Sequence, residues 1–208
     1  MSIESSTTDR GDARLVVLRH GETAWSRDRK HTGRTDLPLT ELGEQQARAA
    51  GPLIAELKLR DPLVLVSPRQ RAVRTAELAG LTDYAIDDDL VEWDYGDYEG
   101  RTTPEIRVNA PGWTIWTGAV PGGEPAAEVQ ARADRVLDSA LPVLAERDVV
   151  LVGHGHFSRA LIARWAELAL VEGRRFAMST AALSVLGYDH DARTIHAHNL
   201  LPQNGVAR

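Results

Sequence analysis

The sequence predicts an α/β fold, a three-layer sandwich with a mostly parallel central sheet and helices on both faces. Two observations carry this. Three apolar runs, LVVLR from Leu15, LVLVS from Leu63 and DVVLVG from Asp148, each lead into a polar or glycine-containing turn and then a helical pattern. Further helical stretches separate the runs, so they are expected to neighbour one another through crossovers. With 208 residues the chain can bury one substantial core, and no repeat, low-complexity tract or linker divides it. The expected organisation is a disordered polar tail over residues 1–13 and one domain over residues 14–208.

Taken in order, the first run reads as a strand buried on both faces, and Gly21 lets the chain leave it sharply. The stretch GETAWSRDRKHTGRTDLPLT reads as a short helical turn followed by an ordered loop. Thr40 is the expected N-cap of a helix whose inner face carries Leu42, Ala49, Leu53 and Leu57; Gly43 stands where a capping-box acid would be. Pro62 opens the second strand. Pro68 and Gly80 then suit the start and end of the next helix. EWDYGDYEG is too rich in glycine and acids for a helix, helical signals return from Pro104 to Val108, and PGWTIWTGAVPGGE reads as a lid or surface excursion. The longest periodic stretch runs from Glu124 to Glu146, with Val129, Ala133, Val136, Leu137 and Leu144 on one face and Pro142 breaking it near its end. After the third strand and its helix, AALSVLGYD and TIHAHNL form an expected antiparallel hairpin at one edge.

Composition removes several function classes. Cysteine is absent, which excludes disulfides, thiolate metal sites and cysteine nucleophiles. A net charge of -6 argues against general binding to nucleic acid or anionic membrane, since both need clustered Lys and Arg. No apolar stretch approaches the roughly 18 residues of a membrane span, and a cytoplasmic location is expected.

Functional groups in such sheets gather beyond the carboxyl ends of the strands. Arg19, His20, Arg69, Arg71 and His154 are therefore expected at one edge. Phosphoryl transfer without a metal needs an in-line nucleophile, fixed positive donors and an acid for the leaving oxygen. His20 suits the nucleophile, with Arg19, Arg71 and a protonated or donating His154 around the phosphoryl group. Backbone N–H groups near Gly21 and after Gly155 are expected to point at the same anion. Glu92 suits the acid, with Trp93 and Tyr95 excluding water from it. Plainer readings stand beside these. Arg19 and His20 could simply cap a strand, and the acids around Glu92 could be solvated charge. His154 and His156 have the spacing of a metal pair, but no carboxylate or histidine clusters near them, so neither metal nor cofactor is expected. GHGHFS lacks the third glycine of a dinucleotide fingerprint, which is Ser158. Trp113 and Trp116 fit a substrate wall and a core equally well, and Arg174 and Arg175 read as solvated surface.

The blocks RHGETAWS, HTGRTDLPLT, SPRQRAVRTAE, EWDYGDYEG and GHGHFSRAL, in this order, resemble the histidine phosphatase, or phosphoglycerate mutase-like, superfamily from about Leu15 to Leu200. Within it they are most similar to small actinobacterial acid phosphatases of the mycobacterial type, and through TDLPLT, SPR and EWDYGDYEG to sedoheptulose-1,7-bisphosphatases. The resemblance implies that His20 becomes phosphohistidine, Arg19 contacts the phosphate, His154 is the second histidine and Glu92 the proton donor. It favours Arg71, in RAVRTA, over Arg69 and Arg74. It also implies substrate contacts from Gly21, Thr32, Gly33, Gly155 and His156. Ser26 departs from the pattern, standing where many members carry Asn. The implied activity is a metal-independent acid phosphatase acting on a small phosphorylated metabolite, with a sugar bisphosphatase or phosphoglycerate mutase as alternatives and an inactive phosphate-binding module last. A mutase is disfavoured because the interval between Glu92 and His154 holds few basic residues and the chain is short. An optimum on the acid side of neutrality is expected, and a homodimer is left open.

Overall fold

The computed structural model describes residues 13–202. The strands are β1 (Leu15–Arg19), β2 (Leu63–Val66), β3 (Ala85–Ile86), β4 (Val149–Gly153), β5 (Leu183–Asp189) and β6 (Ala192–Leu200). The helices are α1 (Ala24–Arg27), α2 (Glu41–Glu56), α3 (Gln70–Leu78), α4 (Thr103–Arg107), α5 (Ala126–Val143) and α6 (Gly155–Trp165). The strand order is β3-β2-β4-β1-β5-β6. The pairs β1–β4, β2–β4 and β2–β3 are parallel, while β1–β5 and β5–β6 are antiparallel. The expected parallel core and antiparallel edge hairpin are both present, and the hairpin joins the core through the antiparallel β1–β5 pair, so the whole sheet is mixed. β3 is a two-residue edge strand in a segment whose acids concealed it.

Period-two alternation explains the two cores. Along β1, Leu15 and Val17 join one apolar cluster while Val16 and Leu18 join the other; along β4, Val149 and Leu151 divide from Val150 and Val152 in the same way. The α5 and α6 side packs on one face, and α2 and α3 pack on the opposite face. These are the three expected layers.

Local signals placed the helix ends well. Thr40 caps α2, its hydroxyl accepting from the Gly43 N–H. α3 closes with Gly80 at φ 82°, where the Gly80 N–H donates to Glu77 O and the Leu81 N–H to Ala76 O, the double bond of a Schellman end.

Two expectations are corrected. The deepest face of α2 is Gly43, Ala47, Ala50 and Ile54, one residue away from the predicted leucine stripe. The helix lies against backbone: a Cβ on Gly43 would sit 2.1 Å from Glu22 O, so small residues must be innermost. Segment 111–124 is no surface excursion at its aromatic positions, because Trp113, Ile115 and Trp116 are buried in the larger core. The Trp113 indole N–H reaches Ala119 O, which satisfies its polar edge. Ala13, the last residue of the expected tail, is buried, and residues 1–12 lie outside the described residues. Among the described residues no helix is long and apolar enough to cross a membrane.

Candidate active site

The adjacency of β1 and β4 brings the RHG and GHG segments together. Arg19 pairs in register with Gly153, and the His20 N–H donates to Gly153 O at 3.0 Å. The imidazoles of His20 and His154 follow immediately, with ring centroids 5.2 Å apart. β2 ends at the same edge, where the Ser67 N–H bonds Val152 O.

His20 is buried, and its Nδ1 lies 2.7 Å from Gly21 O. A carbonyl only accepts, so Nδ1 carries the proton and Nε2 is left with its lone pair. Burial, with the fields of Arg71 and Arg19, holds His20 well below the usual histidine range. The ring is thus neutral and nucleophilic into acid solution. Gly21 does not offer its N–H to an anion as expected, because that N–H donates to the Thr75 hydroxyl at 3.0 Å. Its role is steric and orienting. A Cβ there would lie 2.3 Å from Gly43 O, and its carbonyl sets the tautomer of His20.

Arg71, in the first turn of α3, is fully buried. It donates to Thr35 O at 2.9 Å, Thr32 O at 3.2 Å, Gly33 O at 3.1 Å and His154 Nδ1 at 3.2 Å. An arginine only donates, so His154 Nδ1 is an acceptor, and its Nε2–H donates to Ser67 Oγ at 2.7 Å. The expected protonated or donating His154 is therefore corrected. Both its ring nitrogens are committed, and burial together with Arg71, His20 and Arg19 keeps it well below the usual range. Gly33 is likewise corrected as a substrate contact: its N–H bonds the Glu99 carboxylate and its carbonyl holds Arg71.

Glu92 reaches the edge from a loop and is buried. Its Oε1 accepts from the Trp93 and Phe157 N–H groups and its Oε2 from the His156 N–H, at 2.8 to 2.9 Å. The first turn of α6 thus grips this carboxylate, so the amides expected to face the substrate anion are taken by Glu92. Oε2, with a single donor, is the oxygen with room for a proton. Of the two aromatic neighbours, Trp93 turns its N–H away to Glu124 O, and Tyr95 bonds His156 Nδ1 at 2.6 Å.

A cavity of about 300 Å³ opens over these groups, lined among others by Arg19, His20, Ser26, Thr32, Glu92, Gly155 and His156. The Nε of Arg19 is buried and without a hydrogen-bond partner, while its Nη1 holds Met178 O. Gly155 permits this: a Cβ would sit 3.2 Å from the Arg19 guanidinium carbon. Ser26 lines the cavity, but its hydroxyl donates to Thr23 O and accepts from the Thr23 N–H in a capping box, so it has no free proton for a phosphate. A second recess, about 490 Å³, lies at the far end of the sheet near Ala13 and Tyr188, away from this chemistry.

Six lining residues escaped the sequence reading: Arg29, Lys30, His31, Thr103, Arg159 and Met178. Arg159 stands four residues after Gly155 on α6, a helical spacing that could have marked it; nothing local marked His31. His31 packs against Tyr95, Trp113 and His156, and burial pushes its imidazole down to about 4, with Glu99 opposing. The unfolded chain binds this proton below about 6.5, so the stabilising share of His31 is complete above that pH and is lost as pH falls toward 4. Urea unfolding of the wild type and His31→Gln between pH 7.5 and 4 should show the variant losing about 3 kcal/mol less on acidification. Parallel losses would remove His31 as a source of acid lability.

The family model described as histidine phosphatase superfamily, branch 1, matches residues 15–201. The chain is 52% identical over 182 residues to an acid phosphatase of Mycobacterium tuberculosis, covering 88% of this chain and 90% of that one. It is 32% identical to a sedoheptulose 1,7-bisphosphatase of Saccharomyces cerevisiae, covering 76% and 69%. A solved M. tuberculosis structure superposes with a TM-score of 0.89 at 50% identity over 92% of this chain and 99% of that one. A mycobacterial glucosyl-3-phosphoglycerate phosphatase in complex with VO3 gives 0.78 at 31% identity over 90% and 98%.

Proposed function

From the premise that this chain belongs to the histidine phosphatase superfamily, we propose that it is a metal-independent phosphomonoesterase working through a phosphohistidine at His20. The observation that carries the reading is the Nε2 of His20, left without a hydrogen-bond partner on a residue that lines the cavity, beside a guanidinium, Arg19, whose Nε is also unpartnered.

In the first step His20 Nε2 forms a bond to phosphorus as the ester P–O bond breaks, and Glu92 passes a proton from Oε2 to the departing alkoxide. The positive charge on the phosphorylated ring is shared with Gly21 O through the Nδ1–H. Water then attacks phosphorus, Glu92 takes its proton, the P–N bond breaks and His20 is restored with inorganic phosphate released. Arg19 neutralises the phosphoryl oxygens directly. Arg71 acts from behind through its field and through His154, which positions rather than donates.

Because His20 stays neutral below the usual histidine range, kcat/KM should not fall as pH drops through 6.5, and an acid-side optimum follows. The test is phosphate release from a panel of phosphomonoesters between pH 4 and 8, with trapping of an acid-labile phosphoenzyme. Absence of phosphate release from every ester sinks the reading, as does faster interconversion of the two phosphoglycerates than hydrolysis. The proposal keeps the expected cytoplasmic location and the homodimer, the latter to be read from light scattering.

A further inference from the structure

The cavity holds more positive charge than one phosphoryl group uses. Its lining contributes Arg19, Arg29, Lys30 and Arg159 against the single carboxylate of Glu92, on a chain whose net charge is -6. Among the described residues, Arg29, Lys30 and Arg159 form no ion pair with any carboxylate.

Arg29 and Lys30 are also held in place by the turn that ends α1. The Arg29 N–H donates to Ser26 O and the Lys30 N–H to Trp25 O, which is the double bond of a Schellman end. That motif puts Arg29 at φ 57°, a left-handed position where glycine is the usual residue and any side chain is strained. The turn thereby fixes the backbone from which both side chains leave along the cavity lining. Lys30 lays its ammonium 5.9 Å from the centre of the Trp25 ring, so its stem is braced as well. Across the cavity Arg159 is fixed by Gly173 O and Arg174 O and by the Trp116 face at 4.9 Å, with its Nη1 uncommitted.

We propose that Arg29, Lys30 and Arg159 form a second anion subsite, and that the preferred substrate is a phosphomonoester whose leaving group itself bears a carboxylate or a second phosphate. This rests on the phosphomonoesterase reading above and narrows its substrate class. No arginine of the interval between Glu92 and His154 lines this cavity, and its second set of cations comes instead from the α1 turn and α6.

The test compares kcat/KM for glycerol 3-phosphate, 3-phosphoglycerate and propane-1,3-diol bisphosphate. At least one doubly anionic ester should exceed glycerol 3-phosphate by about tenfold, carried by KM, with the advantage shrinking as salt rises. A gain with the bisphosphate alone assigns the subsite to phosphate, and a gain with both assigns it to either anion. The double variant Arg29→Gly with Lys30→Gln should cut that advantage to about twofold or less. Glycine relieves φ 57°, so an unchanged or raised Tm separates this loss from unfolding. Equal kcat/KM for all three esters overturns the subsite and leaves the hydrolase standing, as does an equal fall on all three in the variant. No phosphate from any of them overturns both readings.

Discussion

Replacing His20 with alanine is expected to lower kcat by at least about 10⁴-fold, the scale seen when a covalent nucleophile is removed. The atom lost is the one with no other task. Nδ1 is committed to Gly21 O, and Nε2 is the only part of the ring left for phosphorus. The variant should fold, since truncation leaves a small space lined by Arg19 and His154 and breaks one side-chain bond. Added imidazole should restore part of the rate by occupying that space, and the acid-labile phosphoenzyme should vanish. Retention of more than about a hundredth of wild-type kcat would mean that another group, with His154 the nearest imidazole at 5.2 Å, carries the phosphoryl group.

Glu92→Gln is expected to cost about 10²-fold to 10⁴-fold with alkyl phosphates, the range for loss of a positioned acid. Aryl phosphates with acidic phenols should be hit far less in the first step, because their leaving oxygen needs no proton. Dephosphorylation, which needs Glu92 as base, should then limit turnover and give a burst of phenol. The geometry makes the split sharp. Oε1 accepts two N–H groups and is fully engaged, whereas Oε2 accepts only from His156 and is the oxygen that can exchange a proton. Equal losses on alkyl and aryl esters would assign Glu92 to holding α6 rather than to proton transfer.

Those two residues differ in how they were legible. His20 sits where a buried strand must end, and strand ends follow from local hydrophobic pattern and the conformational freedom of Gly21. Glu92 lay among Asp94, Asp97 and Glu99, and no local feature separated it from them. What distinguishes it is a first helical turn 64 residues further on that donates its N–H groups to this acid.

The sequence by itself determined every strand but β3, most helix ends, the parallel core with its edge hairpin, and the edge on which Arg19, His20 and His154 meet. These depend on side-chain periodicity and capping, which are properties of neighbouring residues. Only the tertiary structure decided which donors remain free for a substrate. Gly21 gives its N–H to Thr75, Gly33 to Glu99, and His154 is divided between Arg71 and Ser67. The same holds for the small-residue face of α2 and for the cations Arg29, Lys30 and Arg159 around one cavity. Each is an allocation between segments far apart in the chain: a buried polar group must find a partner wherever packing brings one, and short-range pattern carries no record of that choice.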